Sequence, residues 1–236
     1  MNAQLSHNLN LATSHAVAMR ATAPLVAQDL ALAPLKAIGT ISRYNRNETI
    51  FSEGDPAAAS FKVVSGAVRL CKVLPDGRRQ ITDFRLAGDF FGLEATDEYA
   101  LTAEALGDVV AVRYSRTRLD RLEDEQANVR RDLMDVLRRD LTAAQMHLIM
   151  LGRQTAMERV ASFLVQLADR QDAEDGASVE VPMGRQDIAD YLGLTIETVC
   201  RAISELKRGH TIGVPDRHHI VVRRLDALQA VAEGGA

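Results

Sequence analysis

Arg185-Gln186-Asp187-Ile188-Ala189-Asp190-Tyr191-Leu192-Gly193-Leu194-Thr195-Ile196-Glu197-Thr198-Val199-Cys200-Arg201-Ala202-Ile203-Ser204-Glu205-Leu206 is the stretch that decides how the chain is read. Ile188, Leu192, Leu194, Val199 and Ile203 are spaced to share a small core. Ala189 is small enough to let a second helix cross closely, and Gly193 permits a tight turn between the two helices. Thr195 stands where an N-cap belongs, its hydroxyl placed to accept from the amide of Thr198. At about 100° per residue, Val199, Ala202, Ile203 and Leu206 share one face of the second helix. Glu197, Cys200, Arg201 and Ser204 share the other, with Ile196 at the boundary. The pattern predicts helices over 185–192 and 198–207, joined as a helix-turn-helix.

A charged, hydroxyl- and thiol-bearing face at the N-terminal end of a short helix suits insertion into a DNA major groove. Arg201 carries two parallel donors for a guanine N7 and O6, and Glu197 accepts from a cytosine or adenine amino group. Ile196, Glu197, Cys200 and Arg201 are therefore the candidate base contacts. Arg185, Gln186, Thr195 and Thr198 are the candidate phosphate contacts, which orient a domain without reading sequence. The competing reading is a solvated face on which Glu197 and Arg201 merely pair, worth only about 0.2–0.5 kcal/mol. The turn glycine and the buried positions in register favour the first.

Outward from this segment the chain changes character. A region from Thr117 to Leu151 runs without Gly or Pro, and Val129, Leu133, Leu137, Leu141, Ala144, Leu148 and Leu151 recur every three or four residues along it. About 25 residues of helix would span roughly 38 Å. From spacing alone it reads equally as a core helix or as the seam of a coiled-coil dimer. Glu48 to about Tyr114 is made of short Val-, Ile- and Phe-rich runs punctuated by Gly54, Gly66, Gly77, Gly88, Gly92 and Gly107, which suits an antiparallel sandwich or roll. Within it, Pro75-Asp76-Gly77 marks a hairpin turn between 66–74 and 78–86, and Cys71 is expected to face the roll interior. Residues 1–33 read as an extension with a short helix around 25–36. Helix 155–170, a charged loop over 171–178 and a hairpin over 211–223 complete the C-terminal part.

Composition narrows the function classes. The chain has 236 residues, 47% hydrophobic and 25% charged, enough for one large or two ordinary globular domains. A net charge of −4 and a pI near 5.9 argue against binding nucleic acid through bulk positive charge. From Gly152 onward ten basic residues stand against thirteen acidic ones, so any DNA contact rests on a few placed groups: Arg185, Arg201, Arg217 and Arg223. Two cysteines, Cys71 and Cys200, are too few for a disulfide scaffold or a Cys-only metal site and fit a reducing cytoplasm. No transmembrane run, signal peptide, P-loop, HExxH or Ser/His/Asp arrangement is evident, so neither a membrane protein nor an enzyme is expected. No metal or cofactor is implied.

Taken together, Arg185-Gln186-Asp187-Ile188-Ala189, Gly193-Leu194-Thr195 and Glu197-Thr198-Val199-Cys200-Arg201, preceded by Thr155-Ala156-Met157-Glu158-Arg159-Val160-Ala161, resemble the C-terminal half of the catabolite activator/FNR superfamily of bacterial transcription factors. Upstream, Gly54-Asp55, Val64-Ser65-Gly66 and Gly88-Asp89-Phe90-Phe91-Gly92 are similar to its roll glycines. The resemblance implies an α+β chain with four parts: an extension (1–33), an antiparallel β-roll of cyclic-nucleotide-binding type (34–116), a dimerisation helix (117–151) and a winged helix-turn-helix (152–236). It implies a homodimer on double-stranded DNA, reading a palindromic operator with half-sites about one turn apart, and contacts to RNA polymerase.

Departures from the superfamily's pattern indicate the branch. Cyclic-AMP-binding members cradle the phosphate with a Gly-Glu-Leu turn and an Arg-Ser pair; here the turn is Gly92-Leu93-Glu94 and the pair corresponds to Leu101-Thr102, without the arginine. Residues 1–70 hold no cysteine, so the iron–sulfur ligands of the oxygen sensors are missing. His7, His15 and His147 carry nothing that marks them as haem ligands. What remains is similar to the FixK branch, which implies an activator of microaerobic respiration, denitrification or nitrogen-fixation genes at TTG-N8-CAA-like sites, without an effector. The alternative is a regulator of the same superfamily gated by an unidentified ligand in the roll. Cys200, on the DNA face near a helix start, is a candidate redox site.

Overall fold

In the computed structural model, residues 33–235 are described. The expected N-terminal extension, with His7, His15 and the first part of its short helix, lies outside them. α1 (Ala33–Ile38) covers the last part of the expected span 25–36 and runs two residues past it. Eight strands follow: β1 (Gly39–Tyr44), β2 (Thr49–Phe51), β3 (Ala59–Ser65), β4 (Val68–Val73), β5 (Arg79–Arg85), β6 (Phe90–Phe91), β7 (Thr102–Ala105) and β8 (Val109–Ser115). They form two four-stranded sheets with orders β1-β8-β3-β6 and β2-β7-β4-β5, antiparallel throughout. The sheet region thus starts at Gly39, before Glu48. Ile41 of β1 is exposed, so that strand lacks the apolar run that marks its neighbours.

Between the sheets lies a core of Phe51, Phe61, Val63, Val68, Leu70, Phe91 and Tyr99 with small residues such as Ala103 and Ala111. Phe51 stacks on Tyr99 at 3.7 Å between centroids and Phe61 on Phe91 at 5.1 Å. The Pro75-Asp76-Gly77 turn joins β4 to β5 as expected, with Gly77 at φ +82°, a backbone region that only glycine enters without steric cost. Cys71 is buried but does not face this core. Strand alternation turns Val68 and Leu70 inward and Arg69 and Cys71 to the opposite face, where Cys71 joins Ile81 and Phe84 in a cluster continuous with the C-terminal domain.

The long helix is two helices, α2 (Arg116–Glu125) and α3 (Ala127–Arg153), separated by Gln126 at φ −134°, ψ 97°. No Gly or Pro makes the break. Leu119 and Leu122 of α2 pack with Leu35, Phe90 and Tyr114 on the roll, while α3 runs on for 27 residues, about 40 Å. The expected apolar stripe divides on α3. Val129 and Leu133 are buried against their own chain, with half-buried Val136 packed beside them. Leu137, Leu141, Ala144 and Leu148 are exposed, with Met134 beside them, and Leu151 is half-buried.

A capping box then starts α4 (Ala156–Arg170): Thr155 Oγ1 accepts from the Glu158 amide, and the Glu158 carboxylate accepts from the Thr155 amide at 3.0 Å. Beyond it lie β9 (Ser178–Glu180), α5 (Arg185–Leu192), α6 (Ile196–Arg208), β10 (Ile212–Gly213), β11 (His219–Val222) and α7 (Leu225–Ala232). The expected hairpin over 211–223 is present as β10–β11, and β9 adds a third strand in the order β10-β11-β9. Among the described residues no helix is long and apolar enough to cross a membrane.

Candidate nucleic-acid interface

α5 and α6 form the helix-turn-helix. The turn depends on Gly193, which takes φ +62° to cap α5 and returns its amide to the Ala189 carbonyl. Ile188, Ala189 and Leu192 meet Val199, Ala202, Ile203 and Leu206 in one buried cluster with Val160, Leu164 and Ile212. The two helices are therefore a single packed unit. Arg159 of α4, which the sequence did not single out, ties this unit to the chain before it: its guanidinium donates to the carbonyls of Leu151, Gln154 and Leu192 at 2.8, 3.0 and 3.0 Å.

Thr195 caps α6, its Oγ1 accepting from the Thr198 amide at 3.3 Å and lying 3.1 Å from the Thr198 hydroxyl. The expected face is exposed: Glu197, Cys200, Arg201 and Ser204, with Ile196 at the edge, 36% accessible. Glu197 is held below the ordinary carboxylate range, first by its own backbone N–H at the helix start, then by the Thr195 hydroxyl and by the positive charge of Arg201. Among the described residues no salt bridge joins Glu197 to Arg201. Ser204 donates to the Cys200 carbonyl at 2.7 Å, leaving its lone pairs outward.

The candidate phosphate contacts differ among themselves. Gln186 is exposed, but its amide already donates to Asp190 at 2.6 Å. Arg185 at the start of α5 is half-buried, and its Nη1 is buried without a hydrogen-bond partner. Burial lowers its pKa, and the nearby Cys200 works the other way. Lys207, Arg208 and His210 are exposed at and just after the end of α6, and Arg217, Arg223 and Arg224 are exposed on and just after the hairpin, with Arg224 donating to the Gly209 carbonyl at 3.4 Å.

In the roll, the positions corresponding to a phosphate cradle are differently furnished. Leu101 is half-buried, and the Thr102 hydroxyl accepts from the Glu53 amide at 3.0 Å. A bound nucleotide phosphate would find no arginine at either position. Among the described residues no group of His, Cys, Asp and Glu is arranged to hold a metal ion.

Comparison with known proteins agrees with this architecture. Residues 158–231 match the Crp-like helix-turn-helix domain, and residues 41–126 the cyclic nucleotide-binding domain. The nitrogen fixation regulation protein FixK of Azorhizobium caulinodans is 42% identical over 196 residues, covering 82% of this chain and 79% of that protein. The transcriptional activatory protein AadR of Rhodopseudomonas palustris is 41% identical over 192 residues, 80% of each. The structure of FixK2 from Bradyrhizobium japonicum superposes with a TM-score of 0.78 at 40% identity, covering 82% of this chain and 97% of that one. With its roll, long helix and helix-turn-helix in the same order, the chain belongs to the Crp/FNR family of transcription regulators, in its FixK-like branch.

Proposed function

We propose that the protein is a homodimeric, sequence-specific activator that binds TTG-N8-CAA-like palindromes and serves low-oxygen genes of respiration, denitrification or nitrogen fixation. The observation that carries the reading is α6: four apolar residues are buried on one side, while Glu197, Cys200, Arg201 and Ser204 stand exposed on the other. In this reading Ile196, Glu197, Cys200 and Arg201 meet base edges. Arg185, Gln186, Thr195 and Thr198 meet phosphates. The relatives' names, a nitrogen fixation regulator and an activator, support the class of target.

Dimerisation rests on the exposed stripe of α3, and promoter activation on contacts with RNA polymerase from the roll and the loop over 171–178. Activity without an effector is supported by the aromatic packing between the sheets and by Leu101 where a phosphate-binding arginine would stand. The test is binding of the full-length protein, with chelator present and no effector added, to a TTG-N8-CAA duplex and to a scrambled one. Preference for the palindrome is expected. Equal binding to both would overturn the effector-free reading and favour gating by a ligand in the roll.

A further inference from the structure

The outer face of β4 and β5 grips the first helix of the helix-turn-helix at both ends. Near its N-terminus, Asp187 Oδ1 receives Arg69 Nη1 at 2.9 Å and Arg79 Nη2 at 2.8 Å, while its Oδ2 accepts from the Gly184 amide at 3.1 Å. Arg79 also binds the Asp190 carboxylate, Nε to Oδ2 at 2.8 Å, and Arg69 is held from behind by Glu104 at 2.7 Å. At the C-terminal end, the Gln80 amide donates to the Asp190 carbonyl at 2.8 Å and to that of Tyr191 at 3.4 Å. These are two of the carbonyls that a helix end leaves without an intrahelical partner. Phe84 of β5 packs on Tyr191 with centroids 5.2 Å apart.

The side chains of Arg69 and Asp187 are only 11% and 13% accessible, so water is a poor substitute for either partner. The grip also leaves the exposed face of α6 open. Because α5 and α6 share one buried core, whatever fixes α5 against the roll fixes the attitude of α6. The same strand reaches the long helix as well: Arg85 Nη1 binds both oxygens of Asp140 on α3, at 2.8 and 2.9 Å.

We infer that Arg69, Arg79 and Gln80 are positioning residues for DNA binding. Through Asp187, Asp190 and the last carbonyls of α5 they hold the recognition helix at a set angle to the roll and to α3, so that two protomers present their helices to both half-sites together. The inference rests on the reading of α6 as the DNA-contacting helix. A protein whose helix-turn-helix swings free binds one half-site as well as before and pays for the palindrome by the fraction of time it is correctly placed.

The experiment uses the full-length wild type, Arg79→Gln, Asp190→Asn, the double variant and Arg79→Lys. Each is measured against the palindrome and against a duplex carrying one TTG arm, with small-angle X-ray scattering of the DNA-free proteins alongside. Arg79→Gln and Asp190→Asn are each expected to weaken palindrome binding about tenfold, as for a competent fraction reduced to about a tenth. Half-site binding should stay unchanged, the double variant should be no weaker than either single one, and Arg79→Lys should recover most of the loss. In scattering, the radius of gyration should rise for Arg79→Gln. Equal losses on both duplexes would mark the contacts as serving folding alone, and a gain in palindrome affinity would mark them as an inhibitory latch; either overturns the inference. If the wild type shows no sequence preference, the proposed target reading fails, and the scattering comparison decides the grip by itself: an unchanged radius overturns it, a larger one sustains it.

Discussion

Arg201 stands exposed on the first turns of α6, its charge felt by Glu197 one turn back. A bidentate contact to guanine discriminates by about 1–3 kcal/mol, so Arg201→Ala should bring palindrome and scrambled duplex to within a few-fold of each other in a titration. Weak, salt-sensitive binding should remain. A preference that survives intact would show that α6 is not the reading helix. Cys200 lies on the same face and is exposed, whereas Cys71 is buried and its thiol pushed up to about 11 by burial and by Glu104. Mild peroxide should therefore abolish DNA binding in the wild type by placing an oxidised, negatively charged sulfur on the face that meets the polyanionic DNA. Cys200→Ser should keep its binding; equal loss in both proteins would exclude this thiol.

The long helix α3 carries two apolar arcs rather than one. At about 100° per residue, Val129, Leu133 and Val136 lie within roughly 60°, and Met134, Leu137, Leu141, Ala144 and Leu148 within the next 80° or so. The first arc is covered by the roll and α2. On the second, Leu141 and Leu148 are 60% and 69% accessible. Each fully buried Leu contributes about 1.5–3 kcal/mol, which is why a row of them left in water marks a contact surface. If α3 forms the proposed dimer seam, Leu141→Glu should dissociate it, because two protomers would bring two carboxylates together, and sedimentation would read the change in mass. An unaltered dimer would place the interface on another element.

Across the whole molecule the roll and the C-terminal domain share one apolar cluster, running from Cys71, Ile81 and Phe84 to Phe163, Leu164 and Tyr191. His147 of α3 sits at this junction, stacked on Tyr191 at 4.2 Å. Burial and the nearby Arg159 hold its pKa below the ordinary 6.5. The folded protein thus takes up a proton less readily than the unfolded chain, so His147 erodes stability as the pH falls through the unfolded value. The melting temperature should drop between about pH 7.5 and about pH 5.5. His147→Phe keeps the stack and removes the charge, so it should drop less; parallel curves would assign the acid sensitivity elsewhere. The acidic balance of the DNA-binding half is resolved in the same way, by placement. Asp187 and Asp190 answer arginines of the roll, Asp175 caps α7 at the Leu225 amide, and Asp216 pairs with His219. The basic groups on α6 and the hairpin are left exposed.

Local pattern was enough for the helix-turn-helix. α5 covers 185–192 as expected, α6 starts two residues earlier than its expected Thr198 and ends one later, and Gly193 and Thr195 do what their chemistry requires. Those features depend on residues within one or two turns of each other, where periodicity, caps and glycine conformation act. Three features were decided by tertiary packing alone. Gln126 breaks the long helix because α2 must lie on the roll. Cys71 faces outward because a second domain covers that face of the sheet. The arginines that hold α5 come from strands more than a hundred residues away, Arg69 being 118 residues from Asp187, and no local spacing records a contact made only when two distant parts of the chain meet.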